Sequence, residues 1–86
     1  MFEQITFTGS AIATLNPQVY GSAAKAIISI SGSDIRVRLD KTAPTTSIGI
    51  ALAAGGILTL TSKAEIQAFR AISTGTTTLN IQYLVV

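Results

Sequence analysis

Residues 36–60, RVRLDKTAPTTSIGIALAAGGILTL, give the clearest indication of the fold. The stretch begins with a charged run, continues through a Thr- and Pro-containing turn, and has no charged residue from 42 to 60. A membrane helix needs about 20 consecutive apolar residues, but Pro44, Gly55, Gly56 and several Thr and Ser residues interrupt this one. We therefore expect two β-strands joined by an Ala-Ala-Gly-Gly turn, in which glycine supplies the positive φ that a hairpin requires.

Other short segments alternate between apolar and polar residues in the same way. Ile35, Val37 and Leu39 share one strand face, which places Arg36 and Arg38 on the opposite face. The remaining alternating segments surround Ile5 and Phe7, Ala11 to Ala13, Ile28 and Ile30, and Leu79 to Val85. Turn-forming residues separate these segments at about the length of a strand. The pattern predicts one domain over residues 1–86, an all-β, jelly-roll-like antiparallel sandwich of about seven or eight short strands.

Two segments have signals for the start of a helix. Asn16-Pro17 resembles an N-cap followed by a proline in the first turn, but Gly21 follows within one turn. Ser62 and Glu65 have the spacing of a capping box. We predict a single turn of helix from Ser62 to Gln67 and none elsewhere.

The composition indicates a protein whose apolar surface is covered by a partner. Hydrophobic residues make up 48% of the 86 residues and charged residues 12%, against roughly 25% charged in an average soluble domain. The net charge of +2 is scattered, without the basic cluster that a nucleic-acid interface needs. Tyr20 and Tyr83 are too isolated to form a stacking platform for bases or sugars. The start, MFEQITFTGS, lacks the basic-then-apolar order of a signal peptide.

The sequence contains no recognisable set of catalytic residues. It has no His and no Cys. Asp34 and Asp40 bracket a strand and would lie about 20 Å apart, too far for a carboxylate pair, so we interpret both as turn residues. Gly55-Gly56 lacks the Lys and Ser/Thr of a phosphate-binding loop. We expect a protein that is not an enzyme and that binds no metal, cofactor, nucleic acid or membrane.

Candidate interface residues lie on two strands. Arg36 and Arg38 project from one face and could contact an acidic partner, although a solvated outer face is an alternative interpretation. In the C-terminal YLVV, Leu84 and Val86 lie opposite Tyr83, so both faces of that strand are apolar. One face can enter the core and the other needs a neighbour, which favours a homo-oligomer.

The link after the arginine strand contains the candidate structural turn. We expect Asp40, Thr42 and Pro44 to fix this link, with Asp or Thr oxygens accepting backbone N–H bonds and Pro44 restricting φ. Gly55 and Gly56 form the second candidate turn.

Four segments together resemble small virion proteins of tailed bacteriophages. They are IRVRLDKTAPTTSIG, ALAAGGILTL, IQAFRAIS and TTLNIQYL. In those proteins a strand with alternating arginines meets a D-x-T-A-P-T turn, and a Gly-containing hairpin and an x-x-F-R-x-I strand follow. The resemblance covers about positions 27 to 84. One departure is Lys41, where such turns often carry glycine.

The resemblance implies a capsid decoration (cement) protein without catalytic residues. Such a protein would form a homo-oligomer, a trimer by analogy, and bind the major capsid protein on the outside of a preformed shell. Its location would be the virion surface, and the host cytoplasm during assembly. The alternatives are a tail or head-fibre component, or a non-viral β-sandwich that binds a sugar or peptide.

Overall fold

A computed structural model describes residues 1–9, 11–45 and 47–84. Within these residues the chain forms seven β-strands and two short helices. The strands are β1 (Phe2–Thr8), β2 (Lys25–Gly32), β3 (Ile35–Arg38), β4 (Ile50–Leu52), β5 (Ile57–Leu60), β6 (Arg70–Ser73) and β7 (Thr76–Leu84). The helices are α1 (Pro17–Tyr20) and α2 (Lys63–Ala68). The predicted small all-β fold is confirmed.

The strands form two antiparallel sheets that pack as a sandwich. The large sheet has the order β1-β7-β2-β5, and the small sheet has the order β4-β3-β6. Ala13 makes an isolated antiparallel bridge to Ala71 of β6. If this bridge is counted as a reduced strand, the chain crosses between the sheets in the order of an eight-stranded jelly roll. Of the alternating segment Ala11 to Ala13, only Ala13 pairs.

The predicted hairpin of residues 48–60 is wrong in its pairing. The two strands exist, but β4 pairs with β3 in the small sheet and β5 pairs with β2 in the large sheet. Gly55 has φ +88° and donates its N–H to the Ile30 carbonyl at 2.7 Å. The turn therefore carries the chain from one sheet to the other. Alternation indicates a strand but does not indicate its neighbour, so the sequence could not separate the two cases.

The inner faces of both sheets enclose one hydrophobic layer. Ile28 of β2 and Ile81 of β7 are fully buried and lie opposite each other in register. Ile35 and Val37 of β3 face them from the small sheet. Burying each such side chain stabilises the fold by about 1.5–3 kcal/mol. The alternation of buried and exposed residues along β2 and β7 is the one that the sequence predicts.

Helix α2 begins at the predicted N-cap. The Ser62 hydroxyl accepts the Glu65 N–H at 3.2 Å, and the Glu65 carboxylate accepts the Thr61 N–H at 2.8 Å. In a standard capping box the Glu side chain would accept the N–H of the N-cap residue itself, Ser62. Here it accepts the N–H of the preceding residue, Thr61, which is also a backbone donor without a partner in the helix.

Helix α1 contradicts the prediction of no other helix. The Asn16 side chain caps it by accepting the Gln18 N–H at 3.0 Å, and Gly21 ends it after one turn. Tyr20, its last residue, packs in the core with its ring centroid 5.9 Å from that of Tyr83. This tertiary contact holds a turn that is too short to be stable alone.

Candidate interaction surface

The outward-facing residues of the large sheet form a surface that we call the neutral face. Every second residue of β1, β7, β2 and β5 points away from the core. Within these fully described strands, Lys25 at the start of β2 is the one charged residue that points outward. The face consists of Phe2, Gln4, Thr6, Thr8, Lys25, Ile27, Ser29, Ser31, Ile57, Thr59, Thr76, Thr78, Asn80, Gln82 and Leu84.

Hydrogen bonds across strands order the polar part of the neutral face. They join Gln4 Nε2 to Asn80 Oδ1 at 2.9 Å, the Thr6 and Thr78 hydroxyls at 3.1 Å, and the Thr8 and Thr76 hydroxyls at 3.2 Å. Each bond follows the backbone register of β1 and β7. The polar side chains are thus held in rows, and their remaining donors and acceptors point towards solvent.

One end of the neutral face carries exposed hydrophobic residues, which we call the apolar corner: Phe2, Ile27, Ile57 and Leu84. Phe2 and Ile27 lie on either side of Gln82 in the register, and Leu84 follows two residues later on β7. Phe2 is 57% exposed and Ile57 is 68% exposed. Gln82 separates Phe2 from Ile27, and Lys25 lies opposite Leu84, so these apolar groups share one face with polar residues between them. Exposed apolar groups on one face are typical of an interaction site.

The opposite side of the sandwich is the arginine face, formed by Arg36, Arg38 and Arg70 on the small sheet. Arg36 Nη1 donates to the Gly49 carbonyl at 3.0 Å. Arg38 Nε donates to Asp40 Oδ1 at 3.1 Å, and Arg38 Nη2 forms an ion pair with the second oxygen. These two guanidinium groups therefore hold the loop that follows β3.

Arg70 is also engaged within its own chain. Its Nη1 donates to the Phe69 carbonyl at 2.7 Å and to the Gln67 carbonyl at 3.1 Å. Arg70 lies opposite Arg38 in the register of β6 and β3. Like charges placed opposite each other destabilise a sheet, and the carbonyl and carboxylate acceptors offset that repulsion.

In the predicted structural turn an Asp40 oxygen accepts a backbone N–H, and the hydroxyl that accepts one is that of Thr45, from Ile48 at 3.0 Å. Asp40 Oδ1 accepts the Thr42 N–H at 3.2 Å, and Pro44 is buried. Lys41 has φ +65°, a left-handed conformation that elsewhere in the described chain only glycines adopt. Glycine adopts this conformation without steric cost, so it would fit this position better than Lys41 does. The hydrogen bond from Arg38 holds the pKa of Asp40 below its ordinary value, and the Thr42 N–H acts in the same direction.

A shallow concavity of about 380 Å³ lies beside the same turn. Its lining consists of Val37, Arg38, Leu39, Asp40, Gly49 and Ile50. The volume is at the lower end of the range for small-molecule sites. Its walls combine apolar side chains with the Arg38–Asp40 ion pair.

A further polar contact joins three segments of the chain. The Tyr83 hydroxyl donates to Glu3 Oε1 at 2.6 Å, and the Asn16 N–H donates to the same oxygen at 3.3 Å. Burial raises the pKa of Tyr83, and the Glu3 hydrogen bond raises it further. Tyr83 thus stays a proton donor and Glu3 is turned towards the interior. Nothing in the spacing of these residues indicates the contact.

The candidate residues from the sequence are not brought together on one surface. Leu84 lies in the apolar corner, while Arg36 and Arg38 lie on the opposite side of the molecule. Val86 lies outside the described residues. Sequence reasoning missed the other residues of the neutral face, because their common surface depends on the register of four strands.

No protein-family model matches the chain, and no curated protein and no solved structure matches it either. Among the described residues, no group of three His, Cys, Asp or Glu could hold a metal ion. The two helices of the described chain are each too short to cross a membrane.

Proposed function

We propose that this protein is a structural subunit that attaches to the surface of a larger assembly, in the manner of a capsid decoration (cement) protein of a tailed bacteriophage. The observation that carries the proposal is the neutral face with its apolar corner. The phage setting itself rests on the sequence resemblance between positions 27 and 84.

The neutral face is suited to burial against another protein. Covering a charged surface requires the removal of water from each ion, which is costly unless every charge finds a partner. Lys25, at the edge of the face, is the one residue with this cost. Thr, Ser, Asn and Gln carry no ionic charge, and they exchange water for hydrogen bonds across the contact. Phe2, Ile27, Ile57 and Leu84 supply apolar area that association removes from water.

The size of the face favours attachment in several copies. Four strands of 7, 9, 8 and 4 residues, about 4.8 Å apart, cover roughly 400–500 Å². A standard stable interface buries about 800 Å² per partner. One face alone would therefore bind with moderate affinity, and a homo-oligomer that presents several faces would bind more tightly through avidity.

In this proposal the partners are further copies of the chain and the major capsid protein. The protein would reside on the capsid surface of the virion, and in the host cytoplasm during assembly. A tail or head-fibre position would use the same face against a different shell protein.

The test is to mix the purified protein with undecorated capsids, image the particles and compare their resistance to heat with that of bare particles. Added density at symmetry-related positions together with raised heat resistance is the expected result. Added density on tails or head fibres, and not on the shell, would instead support the tail or head-fibre position. Particles that stay bare at saturating protein concentration would refute the proposal.

The concavity beside Ile50 favours a second candidate, a binding module for a sugar or peptide. Titration of labelled protein with a panel of oligosaccharides and short peptides, followed by NMR, tests it. Saturable shifts confined to Val37, Leu39 and Ile50 would support this function. Unchanged spectra up to millimolar ligand would eliminate it.

A further inference from the structure

Strand β1 has one hydrogen-bonding edge without a partner. It is seven residues long and pairs only with β7. Backbone groups in successive residues of an antiparallel strand point alternately to its two sides. The Met1 carbonyl accepts the Tyr83 N–H at 2.8 Å, so the odd-numbered residues face β7. The N–H and C=O groups of Phe2, Gln4 and Thr6 face away from the sheet.

Those outward backbone groups remain unbonded in the described chain. At the end of this edge the Ala11 N–H donates to the Thr8 carbonyl at 3.3 Å, but no such hydrogen bond of the described chain reaches the backbone of Phe2, Gln4 or Thr6. Long edges of this kind recruit a further strand unless a protein blocks them with proline, lysine or a bulge. The segment FEQITFT contains neither proline nor lysine.

The charge on β1 does not block pairing either. Glu3 is its one charged residue, and the carboxylate is turned inward to accept bonds from Tyr83 and from the Asn16 N–H. The outward side chains Phe2, Gln4 and Thr6 are uncharged. A second strand can therefore approach this edge without desolvating an ion.

The other edges of the two sheets are less suitable. Strand β5 is four residues long and β4 is three residues long. The edge of β6 is occupied in part by the bridge between Ala13 and Ala71. Strand β1 offers the longest run of free backbone groups. A strand of the same length can pair with all of these groups, and the β1 strand of a second copy has that length.

We propose that two copies associate through antiparallel pairing of their β1 strands about a two-fold axis at Gln4. The pairing places Phe2 of one copy opposite Thr6 of the other and forms about six backbone hydrogen bonds. Centring the axis on Glu3 would oppose two carboxylates, which excludes that register. The two four-stranded sheets then form one continuous sheet, and the two neutral faces become one surface.

The inference rests on the proposed self-association and specifies its partner and geometry. A paired edge about 20 Å long buries much less than a standard interface. We therefore expect a weak dimer with a dissociation constant in the micromolar range or above. A joined neutral face would have twice the area available to bind a shell.

Sedimentation equilibrium over a concentration series tests the pairing with two variants. Gln4→Pro removes an N–H that β7 does not use, and proline is tolerated at such an edge position. Gln4→Thr also loses the contact with Asn80 but keeps the N–H, so it is the matched control. The wild type and Gln4→Thr should dimerise, and Gln4→Pro should weaken dimerisation at least about tenfold. Equal dimerisation of the two variants, or a strictly monomeric or trimeric wild type, overturns the inference.

A cysteine trap keeps the test decisive if Gln4→Pro does not fold. The chain contains no cysteine, so Gln4→Cys introduces a single thiol at the two-fold axis. Directly opposed residues have Cα atoms about 5.5 Å apart, within reach of a disulfide. Gln4→Cys should form covalent dimers under mild oxidation, and Thr59→Cys on the edge of β5 should not. Equal or reversed yields would contradict the pairing.

The two proposals fail in different experiments. A protein that dimerises but leaves capsids bare retains the edge pairing and loses the decoration function. A protein that decorates capsids as a monomer retains the function and loses the edge pairing.

Discussion

The two outer faces of the sandwich use their polar side chains differently. On the arginine face, Arg36, Arg38 and Arg70 donate to acceptors of their own chain, chiefly loop carbonyls and Asp40. On the neutral face the polar side chains bond across neighbouring strands and keep donors and acceptors directed at solvent. The apolar corner belongs to the neutral face, and on the small sheet Ile50 of β4 is also exposed.

Under the proposed function, the conspicuous charges of the sequence do not mark the interaction surface. Arg36 and Arg38 are conspicuous in the sequence, but their hydrogen bonds fix the loop after β3. The threonines of β1 and β7 are inconspicuous, but together they form an uncharged surface that costs less to desolvate than ions do. We therefore expect substitutions on the neutral face to change binding, and substitutions on the arginine face to change stability.

The largest expected effect follows from adding a charge to the neutral face. Asn80→Asp keeps an oxygen that accepts the Gln4 amide, so the fold should be retained. The added carboxylate should weaken attachment to capsids by about tenfold to a hundredfold, because it is desolvated without a partner. Binding isotherms with undecorated particles measure the change.

The matched control is Ala51→Glu, which adds the same charge on the small sheet. Ala51 is exposed and lies opposite Arg36 in the register. The affinity of the Ala51→Glu variant for capsids should equal that of the wild type. Equal weakening by both variants would show that net charge, and not the neutral face, governs attachment.

The second prediction concerns the turn on the arginine side. The double variant Asp40→Ala/Pro44→Gly removes the acceptor of the Thr42 N–H and a buried ring. Pro44→Gly alone should cost about 1 kcal/mol, or roughly 4–8 °C in Tm for a domain of this size. The double variant should melt lower still, as thermal unfolding followed by circular dichroism would show. A Tm equal to that of the wild type would mean that this turn does not stabilise the fold.

The third prediction concerns the hydroxyl rows of the neutral face. A double-mutant cycle with Thr6→Ala and Thr78→Ala should give a coupling of about 0.2–1 kcal/mol. The pair Thr8 and Thr76, at 3.2 Å, should couple by a similar amount. Denaturant unfolding of the single and double variants measures both couplings. Additive single effects at either pair would show that those hydroxyls bond to water instead.

The smallest effect is a pH dependence on the arginine side. The Arg38 hydrogen bond lowers the pKa of Asp40 in the folded chain below 3.8, its ordinary value. The stability from this carboxylate is therefore present above that ordinary value and is lost as the pH falls through the lower folded value. Tm should fall on acidification from pH 5 to pH 2, and less steeply for Asp40→Asn. Parallel curves for both proteins would contradict the role of the ion pair.

Local signals in the sequence determined most of the secondary structure. Alternation of Ile and Val with polar residues predicted the strands around Ile28, Ile35 and Ile81, because a half-buried strand repeats every two residues. Ser62 predicted the start of α2, because its hydroxyl satisfies a backbone donor within three residues. These interactions act between neighbours in the chain, so they can be read from a single segment.

Only the tertiary structure decided which segments meet. Strands β4 and β5, which the sequence predicted as a hairpin, belong to different sheets. Helix α1 is stabilised by the contact of Tyr20 with Tyr83. The tertiary structure also assembled the neutral face from four strands whose order, β1-β7-β2-β5, does not follow the chain. The physical reason is that strand pairing and core packing join residues far apart in sequence, and alternation specifies a strand's buried side but not its neighbour.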